Sequence, residues 1–131
     1  MPKILIIEDE ETIRRVLKKV LHQEDKNYEI IEAVDGVDGV SKINSNKFDL
    51  ILCDIKMPKK DGIEVLRHVL KECPNTPTIM ISGHGDLETA VESMRIGAFD
   101  YISKPPDLNR LLNSVRSALL NNNFINKGKV K

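Results

Sequence analysis

Asp49-Leu50-Ile51-Leu52-Cys53-Asp54-Ile55-Lys56-Met57-Pro58 holds an apolar run that stops abruptly at an acid and then a Met-Pro turn. A half-exposed strand alternates polar and apolar side chains. A short run that is apolar throughout fits a strand covered on both faces. Ile4–Ile7 and Thr78–Ile81 have the same character, and Tyr28–Ala33 and Phe99–Ile102 complete a set of five. Helical spacing lies between them. Ile13, Val16, Leu17, Val20 and Leu21 form one stripe, and Leu108, Leu111, Leu112, Val115 and Leu119 another. Val37, Val40 and Ile43, then Ile63, Leu66, Val69 and Leu70, then Leu87, Ala90, Val91 and Met94 supply the rest. Nearly all of these positions read as core packing. Strand and helix thus alternate five times, which predicts an α/β fold with a doubly wound parallel (βα)5 sheet and helices on both faces. Asp35-Gly36, Lys60-Asp61-Gly62 and Gly85-Asp86 supply turns, and Asp86 and Asp107 are candidate helix N-caps.

The chain of 131 residues is the size of one domain, with 40% hydrophobic residues to form its core. Twenty Lys and Arg balance twenty Asp and Glu. That zero net charge argues against a dedicated polyanion binder, and no direct nucleic-acid binding is expected. Cys53 and Cys73 form no CxxC pair, and the apolar surroundings of Cys53 read as a buried thiol. Ile4–Ile7 is too short for a signal core or a membrane span. A cytoplasmic protein without membrane contact is therefore expected. Residues 1–122 form the predicted domain, and 123–131 a polar C-terminal tail or the start of a linker.

Ligands of doubly wound sheets bind outside the carboxyl ends of the strands. The first strand ends in Glu8-Asp9-Glu10, the third in Asp54, the fourth in Ser82-Gly83 and the fifth in Ser103-Lys104-Pro105-Pro106. If the first and third strands are neighbours, about 4.8 Å apart, Glu8, Asp9 and Asp54 repel one another. A bound proton or an entering cation relieves such crowding, and an oxygen-rich site suits Mg²⁺. Lys104 is a single countercharge for three acids. Alone, each segment has a plainer reading. Glu8-Asp9-Glu10 can simply favour a helix N-terminus, Asp54 can close a strand before a turn, and Lys104 can sit at a solvated strand end. Tyr101 alone reads as packing. Their convergence on one edge is what points to chemistry.

Taken in order and spacing, Ile4 to Glu10, Asp49 to Pro58, Asp61-Gly62, Ile81-Ser82-Gly83 and Gly97 to Pro105 resemble the receiver domains of response regulators, the CheY-like superfamily, over about residues 3 to 120. The resemblance implies a flavodoxin-like fold with strand order 2-1-3-4-5 and phosphorylation of Asp54 by a sensor histidine kinase. Asp9, Asp54 and the Lys56 carbonyl would ligate Mg²⁺, with Glu8 acting through water. Ser82 takes the place of the family's hydroxyl residue and Lys104 that of its phosphate-binding lysine, with a cis bond to Pro105. Glu8 is one methylene longer than the commoner Asp, and Ser82 lacks the methyl of the commoner Thr. Ser82 and Tyr101 would form the switch. Lys56 and His84 would tune hydrolysis of the acyl phosphate, although His84 reads equally well as a plain loop residue. Such a module accepts and slowly loses a phosphoryl group rather than turning over a substrate.

Competing classes fit less well. A phosphatase using Asp54 as a turnover nucleophile needs an acid two residues on, where Lys56 stands, and a substrate cap. A flavin binder needs a hydroxyl-rich phosphate loop where this chain has three acids. A degenerate receiver would lack some of the site residues. The segment from Ser82 to Pro106 looks like receivers of NtrC-like regulators, which carry AAA+ and DNA-binding output domains and act on transcription; the chain then reads either as a stand-alone receiver or as part of such a longer regulator, with those domains outside it. The face made by the fourth helix, fifth strand and fifth helix carries Glu88, Glu92, Arg95, Asp100, Arg110 and Arg116. A homodimer could pair these charges reciprocally, and a solvated helix face is the plainer alternative.

Overall fold

The computed structural model describes residues 1–57, 59–83, 87–104 and 106–121 in full, together with the backbone of residues 122–130. The elements are β1 (Lys3–Ile7), α1 (Glu11–Glu24), β2 (Glu29–Ala33), α2 (Gly36–Ser45), β3 (Leu50–Asp54), α3 (Gly62–Glu72), β4 (Thr78–Ser82), α4 (Leu87–Ile96), β5 (Asp100–Ser103) and α5 (Leu108–Val130). The strands form one parallel sheet in the order β2-β1-β3-β4-β5. This is the expected flavodoxin-like arrangement. The backbone of α5 stays helical through the polar stretch that the sequence sets apart as a tail.

The apolar strands are covered on both faces, as their composition requires. Ile4, Ile6, Leu50, Leu52, Ile79 and Ile81 pack with Leu17 and Leu21 of α1 and with Leu111 and Val115 of α5. The intervening residues Leu5, Ile7, Ile51, Cys53 and Met80 point the other way, toward Ile43 of α2 and Val65, Leu66 and Val69 of α3. Asp35 accepts a hydrogen bond from Asp38 N at 2.8 Å and Asp61 one from Glu64 N at 3.0 Å, which starts α2 and α3. Asp107 does the same for α5, accepting from Asn109 N at 2.9 Å and Arg110 N at 3.2 Å. Asp86 lies outside the described residues.

The glycines of the two Asp-Gly pairs serve close approach rather than a left-handed backbone. A Cβ on Gly62 would fall 2.3 Å from the Asp54 carbonyl oxygen, and one on Gly36 would fall 2.0 Å from that of Lys60. The loop after β3 is thereby pressed against both the end of its strand and the start of α2.

The expectation that the apolar stripes are core nearly everywhere fails at α4. Ala90 is buried, but Leu87 is 74%, Val91 47% and Met94 46% exposed. The helix seats on its small residues, Ala90 and Ser93, which bring its backbone close to the sheet and turn the larger side chains outward. Val16, Val37 and Leu108, also read as core, are exposed as well, at the margins of their stripes.

An ion pair fixes β5 to α5. Asp100 accepts from Arg110 Nη1 at 2.6 Å and Nη2 at 2.8 Å, and from the buried Ser114 hydroxyl at 2.7 Å. The Arg110 contact, opposed by burial and aided by Ser114, lowers the Asp100 carboxyl from 3.8 to about 2. A lowered carboxylate stabilises the fold above its unfolded value and stops doing so as pH falls through its folded value. Asp100→Asn should therefore cost about 1–2 kcal/mol at neutral pH. In urea unfolding the gap to the parent should close between pH 4 and 2, and equal stabilities at pH 7 would show that the pair contributes nothing.

Candidate functional site

Because all five strands are parallel, their carboxyl ends share one edge. Ile7 pairs with Cys53 in register, so the next residues, Glu8 and Asp54, emerge side by side. Glu8, Asp9 and Asp54 each bring a carboxylate oxygen within 4.8 Å of the other two. Glu8 and Asp54 are buried, 1% and 4% exposed, while Asp9 faces solvent. Lys104, just past β5, reaches back across the edge. Its Nζ lies 2.6 Å from Glu8 Oε1 and 3.2 Å from Asp54 Oδ2. Its backbone N–H donates to the Ser82 carbonyl at 2.6 Å, which ties the exit of β5 to the end of β4.

The charges are unevenly matched. Burial first, then the neighbouring Asp9 and Asp54, raise the Glu8 carboxyl to about 7 against the opposing hydrogen bond from Lys104. Burial disfavours the Lys104 ammonium, but its hydrogen bond to Glu8 and the charge of Asp54 outweigh that and hold its pKa above the ordinary value. One amine thus serves a group of carboxylates that could use a second positive charge. Three oxygen donors, one of them solvent-facing, fit a hard divalent ion such as Mg²⁺ that keeps part of its water.

Ser82 is fully buried, and among the described residues its hydroxyl has no hydrogen-bond partner. An unsatisfied buried hydroxyl costs about 1–3 kcal/mol. It follows Ile81, the register partner of Asp54, and so belongs to the same edge.

The other sequence-derived candidates are more dispersed. The Lys56 side chain is exposed and lines a cleft with Met57, Asp61, Thr89 and Glu92. Tyr101 is half-buried on β5, paired in register with Met80 and packed on the cluster that covers the α3 side of the sheet. His84 and the peptide bond to Pro105 lie outside the described residues.

Two contributors were missed in the sequence. Arg14 of α1 donates from Nη1 to the Glu8 carbonyl at 2.9 Å and from Nε to Glu32 Oε1 at 3.3 Å, fixing the backbone that carries the acidic pair. A base on the inner side of α1, five residues past Asp9, was the available signal. Gly62 was read as a turn residue, and its contact with the Asp54 carbonyl has no signature in one sequence.

The family described as response regulator receiver domain matches residues 4–116. The response regulator ArlR of Staphylococcus saprophyticus is 39% identical over 119 residues, covering 91% of this chain and 53% of that protein. ArlR of Staphylococcus aureus is 38% identical over the same shares. The chain therefore spans about half the length of these curated relatives. Among solved structures, a response regulator receiver domain protein from Clostridium thermocellum superposes with a TM-score of 0.86 at 34% identity, covering 95% of this chain and 99% of that one. NtrX from Brucella abortus, solved with ATP, gives a TM-score of 0.88 at 33% identity over 98% of this chain and 29% of its own length. With the family match running from β1 into α5 and the sheet order, acidic edge and lysine all in place, the chain belongs to the response regulator receiver domains.

Proposed function

We propose that Asp54 accepts a phosphoryl group from the phosphohistidine of a sensor histidine kinase, and that the change is passed to an output partner through Ser82, Tyr101 and Lys104. The observation that carries this reading is the buried Asp54 carboxylate, held 3.2 Å from Lys104 beside two further acids. An Asp54 oxygen forms the new bond to phosphorus as the bond from phosphorus to the histidine nitrogen breaks. The imidazole leaves and takes up a proton. Asp9, Asp54 and the Lys56 carbonyl would hold Mg²⁺, with Glu8 acting through water. The ion supplies neutralising charge for the attacking carboxylate and the phosphoryl oxygens. Lys104 can leave Glu8 for those oxygens, and the unpartnered Ser82 hydroxyl can donate to them. Half-buried Tyr101 can then take up the space that Ser82 vacates. Lys56 and His84 would border the phosphoryl group and set the rate of its hydrolysis, so the module signals and does not turn over a substrate.

The output is transcriptional on this reading. The matched part of NtrX is a small fraction of a protein crystallised with ATP, in keeping with AAA+ and DNA-binding output domains outside this chain. Residues 1–122 would be the receiver and 123–131 a polar tail or the start of a linker. Free thiols at Cys53 and Cys73 fit the reducing cytoplasm, and among the described residues no helix is long and apolar enough to cross a membrane. A homodimer through α4, β5 and α5 would carry the signal onward.

Incubation with acetyl phosphate and Mg²⁺ should give one phosphoryl adduct by intact mass, absent from Asp54→Asn. A full adduct on that variant would overturn the assignment. Lys104→Met should leave the two buried acids without their amine. In chelator the melting point should fall by the equivalent of about 1–3 kcal/mol. The loss should be larger at pH 8 than at pH 6, where Glu8 can take a proton instead, and Mg²⁺ should recover part of it. A melting curve unmoved by pH and Mg²⁺ would place Lys104 outside the charge balance.

A further inference from the structure

We infer that Glu32 and Arg14 are positioning residues of the acidic pocket: Glu32 orients Arg14, Arg14 fixes the Glu8 carbonyl, and the pair thereby sets how tightly the pocket holds a divalent ion. β2 ends in Ala33, with Val34 after it, so it brings no polar side chain to the edge. It nevertheless grips the backbone of Glu8 twice. The Glu8 N–H donates to the Ala33 carbonyl at 3.1 Å. The Glu8 carbonyl accepts from Arg14 Nη1 at 2.9 Å, and Arg14 Nε lies 3.3 Å from Glu32 Oε1 on β2.

That carbonyl belongs to the peptide leading into Asp9. Asp9 faces solvent, so its direction rests on this peptide rather than on packing. If the peptide were free to turn, binding an ion would first have to order the segment, and that cost lowers affinity. A guanidinium suits the task because its planar fork can hold a carbonyl and a carboxylate in fixed directions, which a single ammonium cannot. The Arg14 side chain is 13% exposed, whereas that of Arg15 is 77% exposed and pairs with Glu11 of its own helix. Glu32 is itself held in place. Lys18 Nζ lies 3.5 Å from its Oε2, and Lys42 of α2 donates to its carbonyl. A continuous set of contacts thus runs from α2 through β2 and α1 to the end of β1.

Plain electrostatics pulls the other way. A positive side chain near the acids repels an incoming cation, so as a charge alone Arg14 weakens binding of Mg²⁺. As a positioning group it strengthens binding. The two roles therefore predict opposite signs for its removal. The inference rests on the reading of Glu8, Asp9 and Asp54 as a cation site.

The test is titration of the full chain with Mg²⁺, followed by NMR at the Asp9 and Asp54 amides, with melting in chelator to check that each variant is folded. Arg14→Gln should weaken Mg²⁺ binding by about tenfold, the lower end of what loss of an outer partner of a metal ligand costs. Glu32→Ala should weaken it by about threefold or more. Added to Arg14→Gln, it should cost less than about twofold further, because Glu32 acts through Arg14. Arg15→Gln removes the same charge one residue away and should bind within about twofold of the parent, since that charge is exposed and screened. If Arg14→Gln does not fold, Arg14→Lys takes its place, keeping the charge without the fork, with an expected loss of about threefold or more. Arg14 variants that bind Mg²⁺ as tightly as the parent, or more tightly, would overturn the inference and leave the reading of the pocket intact. So would an equal loss in Arg15→Gln. Losses that multiply in the double variant would overturn the action of Glu32 through Arg14. A parent whose amides do not respond to Mg²⁺ would overturn both the inference and the cation site.

Discussion

Two carboxylates buried side by side need a countercharge, and in this molecule it arrives from the far side of the sheet. Glu8 follows β1, Asp54 ends β3 and Lys104 follows β5, with β4 between the lysine and both acids. At sheet spacing β5 is about 10 Å from β3, a gap suited to a long, flexible side chain carrying its charge at the tip. The contact at 2.6 Å to Glu8 and 3.2 Å to Asp54 therefore depends on the order of strands β1, β3, β4 and β5 being kept. It also depends on the exit of β5 being aimed correctly, which the bond from Lys104 N to the Ser82 carbonyl achieves. Even so, the balance is incomplete. Burial and the neighbouring acids raise the Glu8 carboxyl to about 7 despite the Lys104 contact, so the edge is poised to take up a proton or a cation.

Much of this was legible from residue types alone. An apolar run such as Leu50–Cys53 closed by Asp54 predicts both a two-sided strand and a polar strand end. Four such ends at one edge suffice to name Glu8, Asp9, Asp54, Ser82 and Lys104 together. What could not be read was shape. Gly36 and Gly62 look like ordinary turn glycines, yet each admits a backbone oxygen where a Cβ would collide. Arg14 looks like one of several bases along α1, and only the packing of α1 against β1 and β2 shows that it holds the Glu8 carbonyl.

The apolar periodicity of α4 misled for a related reason. A stripe predicts which side chains share a face, not which face is buried. In α4 two stripes compete, one of large residues through Val91 and one of small residues through Ala90 and Ser93. The small stripe wins the sheet because it lets the helix approach closely. α5 shows the opposite outcome, with Leu111, Val115, Ala118 and Leu119 all buried.

That difference bears on how a change at the pocket could spread. β4 and β5 leave the edge toward α4 and α5, and Ser82 and Lys104 are joined through the backbone. α5 is pinned by its large apolar face, by Arg110 and Ser114 on Asp100, and by Arg116 on Glu24 of α1. α4 has a seat of small side chains, which interdigitate less and resist displacement less than large ones. On the proposed reading, a shift of Ser82 toward new charge at Asp54 would meet one helix that is locked and one that is lightly held. The lightly held helix is also the one that turns Leu87, Val91 and Met94 to solvent. On that reading its exposed stripe is where a partner would register the movement.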